Sequence, residues 1–402
     1  MPSLLICSAE SRDGDLRSKS TTKARTEKQT TLWGDIASPA DVPSTGIRTK
    51  GELSAILDET AAAQDLMLLK RKVNELKQSI KPTDENVLEL TAEYPQSPLS
   101  LKIDVLTAEL DQILDAQTLE RAKHYLSRLR KGIDESITGK VNDINILRWK
   151  EYTDIITDSL WIIDRRDSSG AHLGWYWGNF IPQIPHQLML RYSKRREWVL
   201  DPFVGSGTTL IECRRLGRNG VGIELNPTVA QKAEELISQE RNDFGIKADV
   251  IVGDSRSVDI GEILGGRGVS KVQLIIVHPP YHDIIRFSED ERDLSNAKDV
   301  GSFLSMLGQV VANVTPFLDE GRYLALVIGD KYQNGVWIPL GFRCMDVILS
   351  QGCYSLKSII VKNFDETRAK RSQQELWRYR ALVGGFYVFK HEYIFVFQKV
   401  KD

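Results

Sequence analysis

Residues 198–227 read WVLDPFVGSGTTLIECRRLGRNGVGIELNP. Trp198, Val199 and Leu200 begin a short apolar strand that runs into Asp201-Pro202-Phe203. Gly205 and Gly207 make a tight turn, and a helix is predicted from about Thr208 to Leu216. Gly217 and the pair Asn219-Gly220 stop that helix, and a second strand, Val221 to Ile223, ends in Glu224. Strand, glycine turn, helix, strand and acid in that order bind a nucleoside-bearing cofactor in α/β proteins. The glycines let backbone approach the ligand closely, and an acid about 20 residues on accepts from ribose hydroxyls.

Two common forms of this turn do not fit. A phosphate-gripping P-loop needs a lysine before its final Ser/Thr, and this loop reads Gly207-Thr208-Thr209. The dinucleotide fingerprint needs a third glycine where Leu210 stands. The turn therefore suits a cofactor with a ribose and no phosphate to cradle. S-adenosylmethionine is such a cofactor.

Outward from this stretch, strands and helices alternate to the end of the chain, the pattern of a Rossmann-like, doubly wound α/β sheet. Asp249 to Gly253 is a third strand ending at Asp254, and Val272 to Val277 is a continuous apolar run of the kind buried in parallel sheets. A helix from about Val300 to Phe317 precedes a strand at Tyr323 to Ile328, and another from about Pro339 to Gln351 precedes Tyr354 to Val361. The strand Tyr393 to Phe397 follows a polar insert without a clear crossover helix, which predicts a terminal antiparallel pair.

Upstream, residues 1–50 are polar without sustained period and read as a flexible tail. Residues 51–150 read as a small helical domain. Leu66, Leu69, Val73 and Leu76 recur at helical spacing, as do Leu106, Leu110, Ile113 and Leu114. Residues 151–402 hold the α/β domain, with an aromatic and proline-rich approach from Leu173 to Tyr192.

The chain of 402 residues has a formal charge of -2, so any nucleic-acid surface must be local. Its four scattered cysteines form no Cys-x-x-Cys pair, and of its six histidines only His278 and His282 lie close in sequence. No metal site is expected. The apolar runs stay short of the ~18 residues of a membrane span, and an intracellular, reduced protein is expected.

At the end of the apolar strand 272–277 stands His278-Pro279-Pro280-Tyr281. Neither proline has an N–H, so this corner is rigid and its carbonyls are free to face a ligand. An acceptor side chain followed by such a carbonyl can grip the two hydrogens of an exocyclic amine, and Tyr281 offers a flat face to a planar base.

Asp-Pro-Phe-x-Gly-Ser-Gly-Thr-Thr, an acidic strand end and a Pro-Pro-Tyr tetrapeptide together resemble the amino-directed DNA methyltransferases, which act at adenine N6 or cytosine N4. The resemblance covers about Gly174 to Lys399 and includes the ending His391 to Phe397. It implies that Asp201, Phe203, Gly205, Gly207 and Thr208 line the methionine part of S-adenosylmethionine. Glu224 would hold the ribose, Asp254 would lie beside the adenine ring, and His278, Pro279, Pro280 and Tyr281 would form the catalytic pocket for a flipped base.

The chain departs from that family twice. The family usually has Asp, Asn or Ser where His278 stands. A neutral imidazole can still accept from the amine but an imidazolium cannot, so activity is expected to fall as His278 protonates. Nor does a large recognition domain follow the tetrapeptide. One candidate for that role is the insert from Lys362 to Tyr387, where Arg368, Lys370, Arg371, Arg378 and Arg380 alternate with aromatic residues. The helical N-terminal domain is the other, and the polar loop after Tyr281 reads as a mobile lid.

The expected activity is site-specific methylation of adenine or cytosine in double-stranded DNA by direct transfer, with adenine expected simply as the commoner target. A cognate nuclease or another subunit is an expected partner. The chain has no Pro-Cys pair to supply a thiolate, which argues against methylation of a ring carbon. The alternatives are an RNA exocyclic-amine methyltransferase and a nucleic-acid-binding subunit that has lost the chemistry.

Overall fold

The computed structural model describes residues 47–91, 99–363 and 374–400. The N-terminal part holds α1 (Lys50–Ala61) and α2 (Leu66–Ser79), then the antiparallel pair β1 (Val87–Leu90) and β2 (Leu99–Lys102), then α3 (Ile103–Leu114) and α4 (Leu119–Asp134). Thr49 and Glu52 form a reciprocal capping box that starts α1. Leu69, Val73 and Leu76 of α2 are buried at the predicted spacing, as are Leu106, Leu110 and Ile113 of α3. They share a core with Leu53, Leu57 and Leu126 that is separate from the two cores of the α/β part. Each fully buried Leu or Ile adds about 1.5–3 kcal/mol of transfer free energy to that core. The β1–β2 pair was not foreseen between these helices.

The rest of the chain builds one sheet. It begins with β3 (Leu160–Trp161), α5 (Gln183–Tyr192), β4 (Trp198–Asp201), α6 (Thr208–Leu216) and β5 (Asn219–Glu224). It continues with α7 (Pro227–Gln239), β6 (Ala248–Val252), α8 (Ile260–Gly265), β7 (Val272–Val277), α9 (Val300–Val314) and β8 (Leu318–Ile328). A hairpin of β9 (Lys331–Gln333) and β10 (Val336–Ile338) follows, then α10 (Leu340–Leu349), β11 (Tyr354–Asn363), α11 (Gln374–Gly384) and β12 (His391–Lys399).

The strand order is β3-β11-β12-β8-β7-β4-β5-β6. All neighbours are parallel except β12, which runs antiparallel to both β8 and β11, as the terminal pair predicted. This is a Rossmann-like, doubly wound sheet. Successive side chains on a strand point to opposite faces, and each face carries its own core. Leu200, Ile275, Leu326 and Phe395 pack on one side, and Val199, Leu274, Ile276, Val327 and Ile394 on the other.

The stretch Val300–Phe317 is long and apolar enough to cross a membrane, contrary to the short runs read from sequence. Here α9 packs one face against the core and buries Phe303, Leu307, Val310, Val311 and Val314.

The chain steps outward from β4 through β5 to β6, then returns to β7 on the other side of β4. That reversal opens a crevice at the carboxyl ends of β4 and β7, where ligands bind in sheets of this kind.

Candidate functional site

All four residues of β4 are buried, and the strand delivers Asp201 to the start of the glycine turn. Gly205 has φ +48° and Gly207 has φ +84°, conformations that disfavour a side chain. Space is tight as well. A Cβ on Gly205 would stand 3.1 Å from the Tyr176 ring, and one on Gly207 would stand 3.0 Å from Ile237 of α7. Gly207 therefore seats α6 on its neighbour, while Gly205 faces the crevice.

Asp201 is 1% exposed, with Thr209 Oγ1 donating to its Oδ2 at 2.5 Å and the Phe203 N–H to its Oδ1 at 2.9 Å. Burial pushes its carboxyl up to about 7 despite those two donors. A folded acid whose pKa lies above its unfolded value near 3.9 binds protons more tightly when folded. Stability from Asp201 is thus greatest in acid and is lost as pH rises through about 7. Asp201→Asn is expected to flatten this dependence, read as a smaller fall in Tm between pH 5 and pH 8 than in the unmodified chain. An unchanged fall would exclude Asp201 as its source.

Glu224 ends β5 with Oε2 accepting from the Gly205 N–H at 3.1 Å and Oε1 from the Asn226 N–H at 2.9 Å. Burial raises its pKa, against those two hydrogen bonds. A carboxylate has about four acceptor positions, so two remain for a ligand. Asp254 follows β6 and is committed to Arg256, whose backbone N–H reaches Oδ1 at 3.0 Å and whose Nη2 reaches Oδ2 at 2.8 Å.

At the end of β7, His278 meets the ring of Phe180 edge-on at 4.7 Å and that of Tyr281 at 5.7 Å. Burial, then the charge of Lys362, lowers its pKa to about 3. The imidazole is accordingly neutral at ordinary pH and able to accept a hydrogen bond.

These elements share one cavity of about 930 Å³ along the carboxyl edge of the sheet. Phe203, Gly205, Thr208, Glu224, Asp254 and all four residues His278 to Tyr281 line it. Its size is that of a small-molecule or cofactor site. Asp201 and Gly207, expected on its wall, lie behind it and shape the turn instead.

The far end of the cavity is lined by Lys362, Asn363 and Glu392. Lys362 is thus part of β11 and is buried, so it does not open the basic insert as expected. Arg378 and Arg380 lie on α11, exposed, with the Arg380 guanidinium 5.2 Å over the Trp377 ring. Neither belongs to the cavity wall. Arg368, Lys370 and Arg371 lie outside the described residues.

The loop after Tyr281, expected as a lid, is tied to its neighbours at His282. His282 donates from Nε2 to the Ala297 carbonyl at 3.0 Å and accepts from Lys331 at its Nδ1 at 2.9 Å. Phe287 from the same loop stacks on Tyr176 at 5.6 Å and closes one side of the cavity.

Sequence reasoning also missed a buried cluster. His172 and His186 each meet one oxygen of Glu212, at 2.6 and 2.7 Å. Burial alone would raise the Glu212 carboxyl, but the two histidines hold it below its ordinary range. Asp167, His172 and Glu212 stand close enough to suggest a metal site. The Arg215 guanidinium, 3.1 Å from Asp167 and 3.5 Å from Glu212, already supplies the positive charge there. The cluster joins the segment before α5 to α6, and only the aromatic, histidine-bearing run 172–186 hinted at it.

Residues 70–235 match an N6/N4 methyltransferase family described as DNA methylase, a span that includes the glycine turn and Glu224 but ends before His278. The type II methyltransferase M.MjaII of Methanocaldococcus jannaschii is 42% identical over 52 residues, which is 13% of this chain and 10% of that protein. The type II methyltransferase M.XycI of Xanthomonas campestris pv. cyanopsidis is 35% identical over 91 residues, 22% of this chain and 29% of that protein. The chain thus spans less than a third of these curated relatives. Among solved structures, TrmN from Thermus thermophilus aligns over 56% of this chain and 50% of its own at 16% identity, with a TM-score of 0.36.

Proposed function

We propose that this chain is an amino-directed DNA methyltransferase that moves a methyl group from S-adenosylmethionine to the exocyclic amine of adenine or cytosine in double-stranded DNA, a reading supported by the family match over residues 70–235. It acts at a specific site, on a base swung out of the duplex. The observation that carries this reading is the meeting of the glycine turn and His278-Pro279-Pro280-Tyr281 in one cavity.

The donor set suits the cofactor. The turn Pro202 to Thr208 offers backbone and small hydroxyls without a cation, and Glu224 keeps acceptor capacity for a ribose. When bound, S-adenosylmethionine supplies the electrophilic methyl group. Phe203, Gly205 and Thr208 hold its methionine part, Glu224 its ribose, and Asp254, with Arg256, the adenine side. Asp201 and Gly207 support these contacts from behind.

His278 accepts one N–H of the target amine, a carbonyl of the adjacent prolines takes the other, and the Tyr281 ring lies against the base. These contacts aim the nitrogen lone pair and act mainly by positioning. With a pKa of about 3, His278 holds no proton at neutral pH and is an acceptor rather than a base. The proton released from the amine therefore leaves to water.

The test is transfer of labelled methyl from S-adenosylmethionine to mixed-sequence duplex DNA, followed by digestion to nucleosides. N6-methyladenine or N4-methylcytosine is expected. Labelling of a structured RNA competitor in place of the DNA would overturn the reading in favour of an RNA enzyme.

Outside the cavity, Arg378 and Arg380 contact DNA phosphates. Replacing both with Ala should weaken DNA binding about equally for all sequences. It should also reduce the slope of log K against log salt by about 1 for each phosphate that is no longer neutralised. An unchanged slope would remove α11 from the interface.

A further inference from the structure

Tyr281 carries more constraint than a stacking face requires. Its hydroxyl donates to Glu392 Oε2 at 2.9 Å, and the other oxygen of Glu392 meets Lys362 Nζ at 3.1 Å. Lys362 and Glu392 are direct cross-strand partners on β11 and β12. Both are nearly inaccessible, at 4% and 3%, yet both line the cavity. The ring itself lies so close to β8 that a Cβ on Gly329 would stand 3.0 Å from its Cε2. His278 meets its other side edge-on.

Burying two charges is costly, and a well-packed apolar pair at the same positions is often as stable or more so. The pair is thus poorly explained by stability alone. Its effect on the cavity is specific. Glu392 fixes the hydroxyl of Tyr281 and with it the tip of the ring, Lys362 fixes Glu392, and the Lys362 charge helps hold His278 neutral. Burial and the neighbouring carboxylate keep the Tyr281 phenol protonated, so it remains the donor.

We propose that Glu392, held by Lys362 across β11 and β12, is a positioning residue that locks Tyr281 into the orientation needed to receive the target base. This rests on the methyltransferase reading of the cavity. Removing the lock should lower kcat while leaving the cofactor half, built from β4 to β6, undisturbed.

The experiment uses the full chain with Tyr281→Phe, Glu392→Gln and the two combined. Glu392→Gln is chosen over alanine because it keeps the side-chain volume and one acceptor oxygen for the Lys362 charge, while its NH2 replaces the oxygen to which Tyr281 donates. Each single change is expected to lower kcat about tenfold with S-adenosylmethionine affinity within twofold of the unmodified chain. The combination should be no worse than either, since both break one linkage. Additive losses, or an equal loss of cofactor affinity, would overturn the proposal.

A second readout does not depend on DNA. With 3-fluorotyrosine incorporated, the 19F resonance that vanishes in Tyr281→Phe should shift in Glu392→Gln. An unmoved resonance would overturn the lock whatever the activity. If the unmodified chain methylates no DNA, the functional reading falls and this resonance alone decides whether Glu392 positions Tyr281.

Discussion

Replacing His278 with alanine should lower kcat for methyl transfer by about 100- to 1,000-fold, the usual loss when one preorganised polar contact to a reacting group is removed. The side chain ends β7 at the boundary between the glycine turn and the far part of the cavity. Its ring packs edge-on with those of Phe180 and Tyr281, and it lines the cavity. Cofactor affinity should stay within twofold, because Glu224 and the turn lie on the other side of β4. His278→Asn restores an acceptor close to the same place and should recover most of the rate. If alanine and asparagine were equally slow, His278 would not be the acceptor for the amine.

The pH profile follows from the same site. The neutral imidazole is the active form, and burial lowers its pKa to about 3, far below the ordinary value near 6.5. The fall in activity that a free histidine would give near pH 6.5 is therefore displaced to about pH 3. Between pH 5 and 8 kcat should show no limb from this group. A limb centred near 6.5 that disappears in His278→Asn would place the imidazole in water and overturn the lowered pKa, while leaving the neutral ring as the active form. The linked stability has the matching sign: it is present above the unfolded pKa and is lost as pH falls toward 3.

The second large effect belongs to Glu224. Glu224→Ala should raise the Kd for S-adenosylmethionine by about 10- to 100-fold, since a hydrogen bond to a charged group contributes about 1.5–3 kcal/mol. Two losses combine in this change. The ribose loses its acceptor, and the N–H groups of Gly205 and Asn226 lose the carboxylate that orders the turn. Glu224→Gln keeps one acceptor and should lose less. Titration calorimetry reads both, and an unchanged Kd in Glu224→Ala would remove Glu224 from the cofactor site. The KM for DNA at saturating cofactor should not move.

What could be read beforehand was what depends on neighbours in sequence. The helix Thr208–Leu216 and the strand Val272–Val277 appear with the predicted ends, because glycines and a run of apolar residues mark them locally. The meeting of the glycine turn with His278 followed from the rule that such sheets bind at their switch point. Strand β5 came out longer than predicted, since Asn219 and Gly220 look like a turn yet pair with Trp198 and Val199. Asp201 looked like a ligand because its chemistry suits one. Only the packing shows that Asp201 is buried behind the turn, held there by Thr209 and the Phe203 N–H.

The far end of the cavity was illegible for another reason. Lys362 and Glu392 are thirty positions apart, and only the register of β11 on β12 sets them side by side. In a sequence they look like one charge of a basic insert and one acid of an apolar strand. His172, His186 and Glu212 were hidden in the same way, joined by the packing of α5 on α6.

The placement of β12 has a consequence for the order in which this molecule can assemble. It is the last strand in the sequence but sits inside the sheet, with β8 on one flank and β11 on the other. Strands β4 to β8 can associate through their own crossovers, whereas β11 and β3 have no edge to join until β12 is in place. The turn and Glu224 thus belong to strands that can pair without β12, and Glu392 arrives with the strand that fills the gap. A chain halted between the two would have somewhere to put a cofactor and nowhere to put a base. Completion of the sheet and completion of the Lys362–Glu392 pair are one event, so a molecule that has not finished folding is not armed.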